Sequence, residues 1–340
     1  MAIPHIGIDA MGGDHGTSVV VEGVHLALRE MPGRFEITLI GDESEIGRAL
    51  ERAGEKRSDI HVVHADERID MAEKAAAAAR KKSTSSLAVM AQLHKEGKVD
   101  AIFSAGNTGA VVATALLSLG RLESVSRPAL AAFFPNGAGG CVVLDVGANA
   151  SCKPLYLVQF AHMGAVYARY LLGRPNPRVG LLSIGEEDTK GNELIFEALP
   201  LLRRAAQLNF VGNVEGRDVF RGTCDVVVTD GFTGNVVLKT AESVAELLFK
   251  QIRAEVSGDP MAMVGTVLMR PALKRLMRQL DWEEHAAAPL LGVNGVCFVG
   301  HGSSSPKAIR SAIRTVTTFV EQRVNEHIRE EIEADRETAA

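Results

Sequence analysis

Six glycine-rich segments carry residue types suited to holding an anion: Asp9–Gly16 (DAMGGDHG), Ser104–Gly109 (SAGNTG), Asp145–Asn149 (DVGAN), Gly185–Glu193 (GEEDTKGNE), Thr229–Asn235 (TDGFTGN) and His301–Ser304 (HGSS). Glycine lets the backbone turn tightly and approach a ligand. A helix that follows such a turn offers free N–H groups and the positive end of its dipole, and phosphate is the expected guest. Gly106, Asn107, Thr108 and Gly109, then Gly191 and Asn192, then Gly231, Thr233 and Gly234, and finally His301, Gly302 and Ser303 are therefore the candidate phosphate-binding residues. Any one of these loops also reads as an ordinary capped turn; six in one chain make that reading harder to sustain.

Three side chains stand out as catalytic candidates. Lys190 lies in a glycine-flanked loop that enters a helix, and Asn235 offers an amide either to a carbonyl or to phosphate, or simply caps the long helix after it. His15 follows two glycines and Asp14, a carboxylate placed to orient it. For both His15 and His301 a structural role stays open beside the chemical one. Asp9, Asp145 and Asp230 repel an anion and are read as loop organisers that accept N–H bonds.

Standard motifs are missing. There is no GxxxxGK[ST], no GxGxxG after the first strand, no GxSxG and no HExxH, which disfavours P-loop, dinucleotide, nucleophile-elbow and zincin chemistry. His61 and His64 are three apart on an expected strand, so they point to opposite faces. No metal and no cofactor are expected. Cys141, Cys152, Cys224 and Cys297 form no CxxC pair and read as reduced thiols.

The elements that must position these loops alternate. Strands are expected at Ile3–Asp9, Phe35–Ile40, Ile60–His64, Ala101–Ser104, Ala129–Pro135, Cys141–Asp145, Val179–Ile184, Asn209–Val211, Asp225–Thr229 and Gly295–Val299. Helical patterns fall between them at Thr17–Glu30, Glu43–Ala53, Ser85–Glu96, Gly109–Leu119, Leu155–Leu172, Asn192–Leu208, Asn235–Val256 and from Pro306 onward. Alternation with continuous Val/Ile/Leu runs predicts an α/β fold with a doubly wound, mainly parallel sheet, a Rossmann-like α/β/α sandwich. The loops at the carboxyl ends of its strands are expected to converge on the site. Residues 1–340 read as a single α/β domain. It carries a projecting helical hairpin at about 236–280, joined at Ser257–Pro260. The charged end Glu330–Ala340 is expected to fray.

A net charge of −5 and 5% aromatics argue against nucleic acid as partner. The opening residues lack the basic and long apolar regions of a signal peptide. The longest apolar runs are too short to span a membrane, so the chain reads as cytoplasmic.

Eight segments taken together resemble the bacterial phosphate acyltransferases of phospholipid synthesis (acyl-ACP:phosphate acyltransferases, the PlsX family). They are DAMGGDHG from Asp9, SAGNTGA from Ser104, RPAL from Arg127, LDVGAN from Leu144, GEEDTKGNEL from Gly185, GNVEGRD from Gly212, TDGFTGNVVLKT from Thr229, and APLLGVNG from Ala288 with HGSS after it. The order is that of the family and nearly the whole chain is covered. The resemblance implies a Rossmann-like sheet, a homodimer, and conversion of acyl carrier protein (ACP) thioester plus inorganic phosphate to acyl phosphate plus free ACP. It also raises the standing of Lys190. The chain departs from the family at His285-Ala286-Ala287, where Tyr-Gly-Gly is usual. The rival readings are a phosphotransacetylase-like enzyme using acyl-CoA and a non-catalytic sensor of a phosphate ligand.

ACP is acidic, so a basic docking face is implied, with Arg270, Lys274, Arg275 and Arg278, or Arg80, Lys81 and Lys82, as candidates. Met261, Met263, Val264, Val267 and Leu268 precede the first of these clusters. They are expected near the hairpin tip, either in a dimer interface or dipping into the inner face of the plasma membrane while the basic residues meet lipid phosphates.

Overall fold

The computed structural model describes residues 3–54, 59–279, 282–285 and 287–339. In chain order the first half holds β1 (His5–Asp9), α1 (Thr17–Glu30), β2 (Glu36–Gly41), α2 (Glu43–Ala53), β3 (Ile60–His64), α3 (Ala75–Lys81), α4 (Ser86–Lys95), β4 (Ala101–Ser104), α5 (Thr108–Ser118), β5 (Ala129–Phe134), β6 (Cys141–Leu144) and α6 (Pro154–Leu171). The second half holds β7 (Arg178–Leu182), α7 (Glu193–Arg204), β8 (Asn209–Val214), α8 (Gly216–Arg221), β9 (Val226–Val228), α9 (Gly231–Gly258), α10 (Pro260–Gln279), a 3-10 turn (Trp282–His285), β10 (Ala287–Leu291), β11 (Cys297–Gly300), α11 (Pro306–Glu321) and α12 (Val324–Ala339).

The strands form one sheet in the order β3-β2-β1-β4-β11-β10-β5-β6-β9-β7-β8. Two interior strands are wholly apolar: every residue of β6 (CVVL) and β9 (VVV) is buried, as a sheet covered on both faces requires. Alternate residues feed two cores. Val142 and Leu144 join the core under α1, α6, α7 and α11, while Cys141 and Val143 join the one under α4, α5 and α8. Side-chain caps fix several helix starts: Asp42 accepts from the Glu45 N–H at 3.0 Å, and Ser305 accepts from Ala308 at 3.2 Å. Where α1 crosses α11 a side chain has no room. A Cβ on Gly23 would lie 2.6 Å from the Ile309 Cβ.

All ten expected strands are present, and an eleventh was not legible. β10 contains Pro289, which argues against a central strand. The sheet tolerates it because the strand changes partner there: Ala287–Pro289 pair with β11, and Leu290–Leu291 pair with β5. β10 pairs antiparallel on both sides, and β5 and β6 are antiparallel as well. The sheet is thus mixed. A parallel block β3-β2-β1-β4-β11 and a parallel block β6-β9-β7-β8 run in opposite directions.

Three further differences have local causes. GNVEGRD runs from the end of β8 into α8, where the Glu215 N–H donates to Asp218 Oδ2 at 2.8 Å in a capping-box contact. The run from Pro306 breaks into two helices at Arg323, whose φ is 50°. The chain end does not fray at Glu330: α12 continues with Ile328 and Ile332 buried in the core beside α6. The hairpin is formed by α9 and α10, with Asp259 between them accepting from the Met261 N–H at 2.8 Å. Ala286, within the His285-Ala286-Ala287 departure, lies outside the described residues.

Candidate functional site

Because the two parallel blocks are opposed, the six loops do not gather at one set of carboxyl ends. They form two groups. The first joins Asp9–Gly16, Ser104–Gly109 and His301–Ser304. Asp9, buried, accepts from the Met11 N–H at 3.1 Å and the Ser104 hydroxyl at 2.7 Å. Burial pushes its carboxyl above the usual range, against the pull of these bonds. The Asp14 N–H donates to the Gly302 carbonyl at 2.8 Å, which ties the first loop to the last. A small cleft there is lined by Gly12, Gly13, His15, Gly16, Ala105 and Gly302.

Within this group the roles divide. Asn107 is a structural cap with its amide fully used: Oδ1 accepts from Ala110 at 3.1 Å, and Nδ2 donates to the Met71 carbonyl at 2.9 Å. The Gly106 N–H is taken by the Ser104 hydroxyl at 3.0 Å. Thr108 and Gly109, in the first turn of α5, are exposed. His15 is exposed too, and among the described residues no hydrogen bond joins it to Asp14. The Asp14 carboxylate lies instead against Gly302. Ser303 lies 2.7 Å from His301 Nδ1.

The second group joins Asp145–Asn149, Gly185–Glu193 and Thr229–Asn235. Asp145 is wholly buried and organises it. Oδ1 accepts from the backbone of Leu130, Gly147 and Ala148, and Oδ2 accepts from the N–H and side-chain amide of Asn149, at 2.7–3.1 Å. Burial raises this carboxyl as well, opposed by the same bonds. The Gly231 N–H donates to the Asn149 carbonyl at 2.8 Å. At Gly234 a Cβ would lie 1.9 Å from the Asp145 carbonyl oxygen, so only glycine lets α9 sit this close.

α9 starts four residues earlier than its apolar periodicity indicates. Asp230 is the N-cap, accepting from the Thr233 N–H at 2.9 Å and the Thr233 hydroxyl at 2.7 Å. Asn235 is therefore not the cap. It sits in the second turn, exposed, with Oδ1 facing Gly147. Gly231, Thr233 and Gly234 spend their N–H groups internally, which leaves this helix end fewer donors for an anion than the sequence suggests. Lys190 packs its Cγ against Gly185, and its carbonyl accepts from the Ser183 hydroxyl at 3.0 Å. Its ammonium has no hydrogen-bond or ion-pair partner among the described residues. Asn192 caps α7, accepting from Ile195 at 3.1 Å, and Gly191 takes a φ of 134° at the turn before it.

Thiol catalysis finds no support beside this group. Cys152 is the cysteine whose surroundings include Gly231 and Asp145. Burial, with the Asp145 charge adding to it, pushes its thiol up to about 12. Almost no thiolate then exists at neutral pH. All four cysteines are free.

No hydrogen bond or ion pair joins His15 to Lys190 or Asn235 among the described residues; His15 belongs to the first loop group, Lys190 and Asn235 to the second. The link between the groups is α9. Its first residues rest on Asn149 and Asp145, and Lys239 Nζ, eight residues on, lies 3.3 Å from His301 Nε2. Glu242 is bonded to Lys239 at 2.8 Å and is 4.0 Å from His301. Eight residues span about 12 Å of helix. Lys239 and Glu242 were missed in the sequence reading. The available signal was the position of Lys239 inside the segment TDGFTGNVVLKT.

The family model for fatty acid synthesis proteins matches residues 5–327. The chain belongs to this family. Within it, a phosphate acyltransferase of Pelotomaculum thermopropionicum is 48% identical over 97% of this chain and 95% of the relative. A phosphate acyltransferase of Heliobacterium modesticaldum is 47% identical over 96% of this chain and 98% of the relative. Among solved structures, the fold of this family member is similar to a phosphotransacetylase from Streptococcus pyogenes, with a TM-score of 0.64 at 16% identity over 94% of both chains. It is also similar to a branched-chain phosphotransacylase from Enterococcus faecalis, with a TM-score of 0.58 at 13% identity over 93% of this chain and 99% of that one. At such identities the likeness is one of fold.

Proposed function

We propose that this member of the fatty acid synthesis family is a phosphate acyltransferase that moves a fatty-acyl group from acyl carrier protein to inorganic phosphate, supplying acyl phosphate for phospholipid synthesis. The observation that carries the reading is the near full-length identity to phosphate acyltransferases. Beside it stands Lys190, whose ammonium has no partner among the described residues, in the same loop group as Asn235.

A phosphate oxygen attacks the thioester carbonyl carbon. The C–O bond forms, the carbonyl electrons pass to oxygen, and collapse of the tetrahedral oxyanion breaks the C–S bond. The thiolate leaves and takes its proton from water. Thiolate is a good leaving group, so positioning and electrostatics carry the acceleration. Lys190 neutralises the phosphate, and Asn235 donates to the oxyanion or to phosphate from a floor made by Gly147. His15, with Gly302 beside it, belongs to the other loop group, where the acyl donor is held in this reading.

The protein works in the cytoplasm as a homodimer. No helix among the described residues is long and apolar enough to cross a membrane. The exposed tip residues Met261, Met263, Val264, Val267 and Leu268 favour peripheral contact with the membrane. Arg270, Lys274 and Arg275 are exposed beside them, ready for acidic ACP or lipid; the Arg278 side chain lies outside the described residues. Lys82 is a weaker docking candidate than Arg80 and Lys81, because it is bound to Glu73 at 2.7 Å.

The test is incubation with long-chain acyl-ACP, with and without phosphate. Phosphate-dependent release of thiol and appearance of acyl phosphate are expected. Turnover only with acyl-CoA would select the phosphotransacetylase-like reading, and phosphate binding without thiol release would select the sensor.

A further inference from the structure

The geometry points to a transition-metal site, of the zinc type, formed by His5, Glu36 and His61 on three neighbouring strands. These residues are too far apart in the chain for any spacing rule to connect them, and sheet register brings them together. His5 of β1 lies opposite Glu36 of β2, and Thr38, two residues on, lies opposite His61 of β3. A step of two keeps the same face, so all four share one side of the sheet. A ligand atom from each of His5, Glu36 and His61 lies within 4.8 Å of the other two. The two imidazole rings are 5.5 Å apart, centre to centre.

Two imidazoles and one carboxylate suit zinc, with water completing the shell; magnesium and calcium prefer oxygen alone. A tetrahedral ion with bonds of about 2.1 Å holds its ligand atoms about 3.4 Å apart. His5 and Glu36 are half-buried on paired strands, whereas His61 is exposed. His5 is already oriented, since its Nε2 lies 2.7 Å from the Thr38 hydroxyl. Such a partner of a ligating imidazole is part of a site's affinity.

Bound metal would clip edge strand β3 to β2 and β1. His5 opens β1 and Asp9 closes it, about 13 Å away, so the ion does not touch the phosphate-binding loops. This inference is independent of the proposed function.

The full-length chain, stripped with a chelator, is titrated with Zn²⁺ by calorimetry and with Co²⁺ by visible absorption. One equivalent per chain is expected. Saturating Zn²⁺ should raise Tm by about 5 °C, and equal Mg²⁺ should not. His61→Ala, at an exposed position, should lower affinity by about 100-fold, and Thr38→Val by about tenfold. Phosphate-dependent acyl transfer in metal-free buffer should be unchanged in His61→Ala. Glu36→Gln should also abolish the site; if it fails to fold, His61→Ala alone decides. The inference is overturned if the wild type binds no Zn²⁺, if His61→Ala binds as the wild type does, or if Co²⁺ gives a thiolate charge-transfer band.

Discussion

At the residue scale, aspartates build the site and one lysine stays available in it. Asp145 gathers five hydrogen bonds and Asp230 caps α9, so both carboxylates are committed to shape. Lys190 and Asn235 are left facing outward. Lys190→Ala and Asn235→Ala should each lower kcat/KM on acyl-ACP by about 10²–10³-fold with circular dichroism unchanged. Wild-type rates in both would refute the site. Gly234→Ala tests the scaffold instead. Its Cβ would meet a backbone oxygen that cannot swing aside, so the first turn of α9 must move and Asn235 with it. We expect a drop in Tm of several degrees together with loss of activity, whereas Gly258→Ala, where added volume meets nothing, should be silent in both.

At the element scale, Asp225 ties β7 to β9 at the entrance of the block β6-β9-β7-β8 through ion pairs with Arg178 and Arg174. Arg178, which opens β7, donates from its backbone N–H at 2.9 Å and from Nε at 3.0 Å to Asp225, just before β9. Burial pushes the Asp225 carboxyl up, but the Arg178 hydrogen bonds and charge outweigh it and hold the group below its ordinary 3.8. The native state therefore binds this proton less readily than the unfolded chain. The resulting stabilisation is fully present above pH 3.8 and is lost as pH falls through the lower native value. Asp225→Asn should lower Tm by about 3 °C at pH 7. Thermal melts should show the gap to wild type constant from pH 7 to 5 and closing in stronger acid. A gap that widened in acid would contradict this assignment.

At the scale of the whole molecule, the helical hairpin exposes apolar residues in two places. Val244, Leu248 and Ile252, with Leu247 beside them, make a stripe of helical spacing along α9, and Met261 to Met269 cover the start of α10. Under the proposed function, the stripe is expected to face the second copy of the chain and the tip the membrane. Leu248→Glu should then shift sedimentation from dimer toward monomer. Val264→Glu with Leu268→Glu should leave the dimer intact, release the protein from anionic liposomes and preserve turnover on soluble acyl-ACP. Dissociation of the dimer by the tip variant would exchange the two assignments.

The sequence alone determined the α/β class, ten of the strands and the family. Local signals suffice for these: continuous apolar runs mark buried strands, caps and glycines mark turns, and an ordered set of segments marks a family. The tertiary structure decided what depends on partners distant in the chain. β10 was hidden because Pro289 is acceptable only where a strand changes neighbours. The early start of α9 was hidden because GFTG has low helix propensity, and Asp230 with the Asp145 loop holds it helical. Opposed blocks divided six similar loops into two groups, since strand direction is a property of pairing. Register placed His61 beside His5 and Glu36, and one helix carried Lys239 to His301, because side chains remote in sequence meet only once the sheet and its covering helices are assembled.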